Sequence, residues 1–233
     1  MTQLSEIAVV TTVQSGTVFQ REDSLAGETG FTLKLNGREV VASVCSPGRL
    51  TELMYGYLYT EGLIKPGKQP VVIHEGRGVV NAVVDQCEPP PEPQPVRSDY
   101  RITPEVIFRQ VKEFTGAGDT FKETGATHSA AIGTQNSLCC LAEDISRSAA
   151  FEKAVGCGYL DRIDAGRCVV VLSSRVHSVF VKKSATAGFP FIAAVSAPTA
   201  KAVKDAERFG ICLCGFVRGE RMNVYSNRWR LGL

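Results

Sequence analysis

Three polar blocks each close an apolar, β-branched run: Ser173-Ser174-Arg175, Ser196-Ala197-Pro198-Thr199 and Phe216-Val217-Arg218-Gly219-Glu220-Arg221. The first two also open helix-like stretches, so hydroxyls, a guanidinium and the free backbone N–H groups of a helix N-terminus come within reach of one another. Such turns accept anions, phosphate above all. Arg218 and Arg221 add forked donors suited to phosphate or to the edge of a guanine. The plainer alternative is that Ser196 or Thr199 only caps its helix and that Arg175 is a solvated charge.

A fourth block, Thr124-Gly125-Ala126-Thr127-His128, precedes the small-residue stretch Ser129-Ala130-Ala131. A histidine at that place is either a hydrogen-bonded structural residue or a ligand and acid/base group. Glu143, Asp144 and Arg147 follow, and Asp144 and Arg147 stand three apart, the spacing of an intrahelical ion pair. His74 and His177 belong to no constellation and read as surface or packing residues.

The chain has eight cysteines but no Cys-x-x-Cys. Five of them (Cys45, Cys139, Cys168, Cys212 and Cys214) lie in apolar, strand-like contexts and read as buried thiols acting as small hydrophobes. Cys212 and Cys214 alternate, which puts their side chains on one face of a strand. Neither that pair nor the vicinal Cys139-Cys140 has zinc-ligand spacing, and no resident metal is expected.

Two arrangements of elements must position these blocks. Up to residue 87 the chain is rich in strands, expected at 7–13, 31–35, 40–45, 71–74 and 79–84, with Asn36-Gly37 closing a hairpin. Pro47 is expected to start one helix, whose apolar face is Leu50, Leu53, Met54, Tyr57 and Leu58 and whose stop is Gly62. A run with five prolines, Glu88-Pro89-Pro90-Pro91-Glu92-Pro93-Gln94-Pro95 within 88–100, plus Arg97 to Tyr100, reads as an extended, unpaired linker. Its prolines leave no room for a helix.

From 101 to 233 the pattern alternates. A cap and first-turn proline at Thr103-Pro104 open a helix. Strands expected at 129–132, 137–141, 169–173, 191–195 and 211–217 interleave with helices at 147–160, 176–187 and 199–209. This is an α/β pattern, a largely parallel or mixed sheet flanked by helices in three α/β/α layers, with a smaller β-rich N-terminal domain before it. Ligands of such sheets gather at strand ends beside helix N-termini.

Composition narrows the function. A net charge of +2 gives no basic field for nucleic acid, so any anion site must be local. No apolar run approaches the roughly 18 residues of a bilayer span, and the first 13 residues are too short and polar for a secretory signal. A soluble, cytoplasmic protein is expected.

Taken in order, the blocks resemble one family, the formate dehydrogenase accessory proteins (FdhD/NarQ). The resemblance runs through Thr124, Gly125, His128, Glu143, Asp144, Arg147, Lys153, Ser173, Arg175, Lys183, Ala197-Pro198-Thr199, Gly215-Phe216, Arg218 and Asn223-Val224-Tyr225. It extends to Gly56-Tyr57-Leu58-Tyr59-Thr60-Glu61-Gly62 in the first part of the chain. It implies an accessory protein that takes sulfur from a cysteine desulfurase and delivers it to the molybdenum or tungsten bis-guanine-dinucleotide cofactor before insertion into formate dehydrogenase. It also implies a larger domain similar to the cytidine deaminase fold without its zinc, and a homodimer. Carried over, residues 216–221 would lie against the guanine dinucleotide, with Val217, Gly219 and Glu220 among them. Thr124, Gly125, His128, Arg147, Ser173, Arg175, Lys183, Pro198 and Thr199 would line the rest of the pocket.

Some of the family's residues are missing. Its Cys-Gly-x-Cys-Gly loop, which supplies the persulfide, is replaced by Pro95-Val96-Arg97-Ser98-Asp99-Tyr100, and the nearest thiol, Cys87, precedes the prolines. Ser146, Ser148 and Ala149 stand where glycine, histidine and asparagine are usual, and Val179 where glutamate is common. Three functions therefore stay open: a sulfurtransferase; a module that binds a guanine nucleotide or the pterin cofactor without moving sulfur; and, on fold analogy alone, a deaminase-like hydrolase lacking His-x-Glu and Pro-Cys-x-x-Cys.

Overall fold

The computed structural model describes residues 4–76, 78–84 and 92–233. Cys87 and the first prolines of the 88–100 segment fall outside the described residues. The chain opens with a ribbon of β1 (Ser5–Gln14) and β2 (Thr17–Ala26), paired antiparallel and joined to no other sheet. The second of these strands is absent from the sequence expectation. Gln20-Arg21-Glu22-Asp23 breaks the apolar alternation, and pairing with β1 alone holds it extended.

A four-stranded sheet follows, built from β3 (Thr29–Leu35), β4 (Arg38–Cys45), β5 (Val71–Gly76) and β6 (Val79–Val83) in the order β4-β3-β6-β5. Asn36 and Gly37, both at positive φ, make the expected turn between β3 and β4. Phe31, Leu33 and Leu35 alternate inward and pack with Val80 and Ala82 on α1 (Leu50–Thr60), through Leu53, Met54 and Leu58. That helix starts three residues after Pro47, because Gly48 and Arg49 both take left-handed conformations before it.

The remaining elements are α2 (Pro104–Ala117), α3 (Asp119–Thr124), β7 (His128–Gly133), β8 (Leu138–Asp144), α4 (Arg147–Leu160), β9 (Val169–Leu172), α5 (Ser178–Ala187), β10 (Phe191–Ala194), α6 (Ala200–Arg208), β11 (Cys212–Arg218) and β12 (Arg221–Ser226). Their six strands form one mixed sheet in the order β12-β11-β10-β9-β7-β8. The central strands β9, β10 and β11 are parallel; β7, β8 and β12 run antiparallel to their neighbours. One face packs on α4, α5 and α6 through Phe151, Val155, Phe180, Val181 and Ala202. The other packs on α2 through Val106, Ile107, Val111 and Phe114. The expected α/β layering with a β-rich N-terminal region is therefore present. Two elements go beyond the expectation: α3, too short for a helical period to show, and β12, an edge strand.

Close helix packing and a buried polar cluster bind the first sheet to the second. Helices α1 and α4 meet at two glycines: a Cβ on Gly56 would lie 1.8 Å from Glu152 O, and one on Gly156 1.8 Å from Glu52 O. Ser46, just after β4, receives the Ile145 N–H on its hydroxyl, gives its own N–H to Asp144 and accepts Lys153 on its carbonyl. Lys153 and Asp144, both fully buried, pair at 2.6 Å. The described part of the 88–100 segment is irregular yet tied down. Val96 N donates to Phe209 O, and the buried Arg230 donates to the carbonyls of Ser98 and Tyr100.

Candidate functional site

Topology gathers the polar blocks at one end of the six-stranded sheet. The parallel strands β9, β10 and β11 all finish there; Arg175 and Thr199 follow the first two, and Arg218 ends the third. Because β7 is antiparallel to β9 and β8 antiparallel to β7, His128 begins and Asp144 ends at the same side. Helices α4, α5 and α6 start from it. From β11 to β8 is four strand spacings, roughly 19 Å, the scale of a dinucleotide rather than of a lone phosphate.

Backbone bonds lock the blocks together. Ser129 N donates to Ser173 Oγ at 2.9 Å, and Ser173 N to Ser129 O at 3.1 Å. Val176 N reaches Ala197 O at 3.0 Å, Thr199 N reaches Val176 O at 2.9 Å, and Phe216 N reaches Ser196 O at 3.2 Å. Pairing of Val176 with Pro198 in a parallel bridge delays α5, so the helix expected from 176 begins at Ser178. Pro198 in turn needs a glycine opposite: a Cβ on Gly215 would meet Pro198 Cδ at 2.9 Å and the Tyr225 ring at 3.0 Å.

Guanidiniums at this edge stand beside two imidazoles. Partial burial lowers the pKa of His128 and of His177, and for both imidazoles the Arg147 and Arg175 guanidiniums lower it further. Both rings are therefore neutral near pH 7. Among the described residues Arg147, Arg175, Arg218 and Arg221 make no ion pair. His177 Nε2 is buried without a hydrogen-bond partner, and no side chain caps α5 at its N-terminus. Phe216, with φ at 53°, turns outward and is 41% exposed beside Arg218, whose strand partner is Arg221 across Gly219 and Glu220. Unpaired guanidiniums, an orphaned imidazole nitrogen and an exposed aromatic ring together make an anion-accepting edge with a stacking surface.

Several expected site residues do other work. Val217 is buried against the α2 face. Thr199 Oγ1 accepts Ala202 N at 3.2 Å and so caps α6. Thr124 Oγ1 donates to Thr120 O and Gly125 ends α3 in the left-handed region, so both shape the approach to β7. Lys183 lies inside the α1–α4–α5 junction, paired with Glu152 and with Glu61 at 2.9 Å, and faces the Tyr57 ring. Burial opposes its charge, yet the two carboxylates carry its pKa above the ordinary lysine value. Asp144 pairs with Lys153, not with Arg147. Glu143 accepts the N–H groups of Thr120 and Phe121 and caps α3.

His177 is the residue that sequence reading set aside. Its signal was its position two residues beyond Arg175 at the mouth of a helix. Two cavities lie elsewhere. One of about 500 Å³, lined by Tyr59, Arg97, Tyr159 and Arg162 among others, opens at the opposite end of the sheet. One of about 540 Å³ borders Asn227 and Trp229.

The thiols divide by environment. Burial pushes Cys45 up to about 11 and Cys168 up to about 12, which makes both poor nucleophiles. Cys212 and Cys214 share a strand face, as expected, with Sγ atoms 4.0 Å apart and buried. Cys139 is exposed, contrary to expectation, because β8 is an edge strand. Cys140 and Cys157 face each other: contact with Cys157, then burial, raises the Cys140 pKa, while Cys140 and Arg49 lower that of Cys157 against burial.

Fold and edge define a layered α/β protein that offers a row of cationic and aromatic groups to an extended anion. The FdhD/NarQ family pattern matches residues 68–232. Proteins named sulfur carrier protein FdhD are similar over most of their length. That of Listeria monocytogenes is 28% identical over 94% of this chain and 95% of its own, and that of Anaeromyxobacter dehalogenans (strain 2CP-1) 30% identical over 91% and 89%. A crystal structure from Desulfotalea psychrophila, described as a formate dehydrogenase accessory protein, superposes with a TM-score of 0.87 at 25% identity, covering 98% of this chain and all of that one. The chain belongs to the FdhD/NarQ family.

Proposed function

We propose that this protein is a cytoplasmic formate dehydrogenase accessory protein that holds the bis-guanine-dinucleotide cofactor of molybdenum or tungsten as cargo at the open end of its six-stranded sheet. Sulfur arrives from a cysteine desulfurase, and the loaded cofactor passes to formate dehydrogenase. The convergence of Arg147, Arg175, His128, His177 and the 216–221 hairpin on one edge, whose arginines make no ion pair among the described residues, carries this reading. Arg175 and Arg147 meet the pyrophosphate, while Phe216 and Arg218 receive the guanine. The layer order supports the likeness to the cytidine deaminase fold. His128-Ser129-Ala130 has no His-x-Glu, so water activation on zinc is not part of the role.

Calorimetric titration with guanosine diphosphate tests the edge. Wild type is expected to bind in the micromolar range, and Arg175→Ala and Arg218→Ala to bind at least tenfold more weakly. Equal affinities, or no binding to any of them, would remove the assignment.

A second reading, cargo binding without sulfur transfer, is favoured by residues 95–100, which hold no cysteine, and by the burial of Cys45, Cys168, Cys212 and Cys214. Incubation with a desulfurase and radiolabelled cysteine separates the two: a reducible label on the chain supports the carrier, its absence the binding module. The homodimer is supported by the β1–β2 ribbon, where Ile7, Val9, Val13 and Val18 are each at least 65% exposed and offer an apolar surface to a second copy.

A further inference from the structure

A cluster unrelated to the anion edge stands where α4 ends against β8. Cys140 lies on β8, Cys157 one turn before the end of α4, and Asp161 caps that helix, its N–H donating to Cys157 O at 2.9 Å. Their ligand atoms all lie within 4.8 Å of one another. Asp161 Oδ2 is 3.6 Å from Cys157 Sγ and 3.9 Å from Cys140 Sγ.

A tetrahedral zinc ion, with bonds of about 2.3 Å to sulfur and about 2.0 Å to oxygen, holds a sulfur and an oxygen about 3.5 Å apart and two sulfurs about 3.8 Å apart. The sulfur–oxygen separations already approach that figure, and the sulfurs need close by at most about 1 Å. We infer that Cys140, Cys157 and Asp161 form a three-ligand site for a thiophilic divalent cation of the zinc class.

The cluster sits at the C-terminal end of α4, the negative end of the helix dipole, which favours a cation there. Cys140 is buried, Cys157 half-buried and Asp161 exposed, so the fourth position opens to solvent on the aspartate side and is left to water or an incoming ligand. Cys139 does not belong: its thiol turns the other way, toward Thr134 and Ser137. From the Ser146 cap to Cys157 is eleven residues of helix, roughly 16 Å, so metal and cargo would not compete. The spacing Cys-x16-Cys-x3-Asp is no recognised pattern, which is why no metal was expected from sequence.

The test uses the reduced full-length protein without nucleotide, dialysed against zinc and measured for metal content, with cadmium as an optical probe of thiolate bonding. About one zinc per chain is expected, with a thiolate-to-cadmium charge-transfer band and a thermal midpoint raised by several degrees. Cys157→Ser is expected to abolish the band, Asp161→Asn to weaken binding at least tenfold, and Cys139→Ser to change nothing. Asp161 is exposed and its substitution spares the fold, so loss of metal there is not loss of structure. Substoichiometric zinc in the reduced wild type, or undiminished zinc in Cys157→Ser or Asp161→Asn, would overturn the site. Guanosine diphosphate titration of the same variants reads the cargo edge separately, so either assignment can fail alone.

Discussion

The α1–α4 seam and the open end of the six-stranded sheet draw charged residues from the same stretch of chain and treat them in opposite ways. At the seam every charge has a partner: Lys153 with Asp144, and Lys183 with Glu152 and Glu61. At the sheet end Arg147, Arg175 and Arg218 have none among the described residues, although Arg147 follows Asp144 by only three positions. A buried charge without a partner is too costly to keep, whereas an unpaired guanidinium persists where water or a ligand can reach it. Motif residues of one family thus separate into those that hold two sheets together and those left unpaired at the open end of the larger sheet.

The contrast is broken most severely at Lys153. Lys153→Met leaves Asp144 as an uncompensated buried carboxylate and is expected to cost about 3–5 kcal/mol in chemical denaturation. A midpoint equal to wild type would show that the seam does not depend on its ion pair. Gly156→Ala comes next, at about 1–3 kcal/mol, since its methyl must displace the Glu52 carbonyl and separate the helices.

Exchanging the two regions sharpens the division. Arg175→Ala is expected to lose about 1.5–3 kcal/mol of guanosine diphosphate binding with an unchanged thermal midpoint. Lys183→Met should do the reverse, lowering the midpoint and leaving affinity intact. A Lys183 variant that loses affinity instead would return that residue to the cargo site.

The smallest effect concerns pH. His128 and His177 have folded pKa values below the ordinary 6.5, so in that window the unfolded chain binds more protons and stability rises with pH. Their contribution is present above about 6.5 and is lost as pH falls through the lowered folded values. A His128→Gln/His177→Gln variant should therefore lose less thermal stability than wild type between pH 7.5 and 5.5. An anion at the edge opposes the arginines, so binding should take up protons, measurable as a dependence of titration heat on the buffer's ionisation enthalpy. Heat independent of buffer would place the phosphate away from the imidazoles.

Local order was readable in the residues. Asn36-Gly37 makes its turn and Pro104 stands in the first turn of α2, although Thr103 before it makes no side-chain capping bond. The polar blocks lie at strand ends because the alternation of apolar runs and caps leaves them nowhere else. The ribbon strand β2 was not readable, since Gln20 to Asp23 carries no apolar alternation and is extended only through β1. Nor was the role of His177, which depends on two arginines, one of them thirty residues away.

By itself, then, the sequence determined the punctuation of the chain, and with it which polar groups stand at the ends of parallel strands. Only the tertiary structure decided which of those groups are neutralised. The Asp144–Lys153 pair is completed by Ser46, 98 residues from Asp144, and Cys140, Cys157 and Asp161 meet only because α4 folds back along β8. Charge pairing and ligand geometry depend on distance through space and on exclusion of water, and both are fixed only when the helices pack.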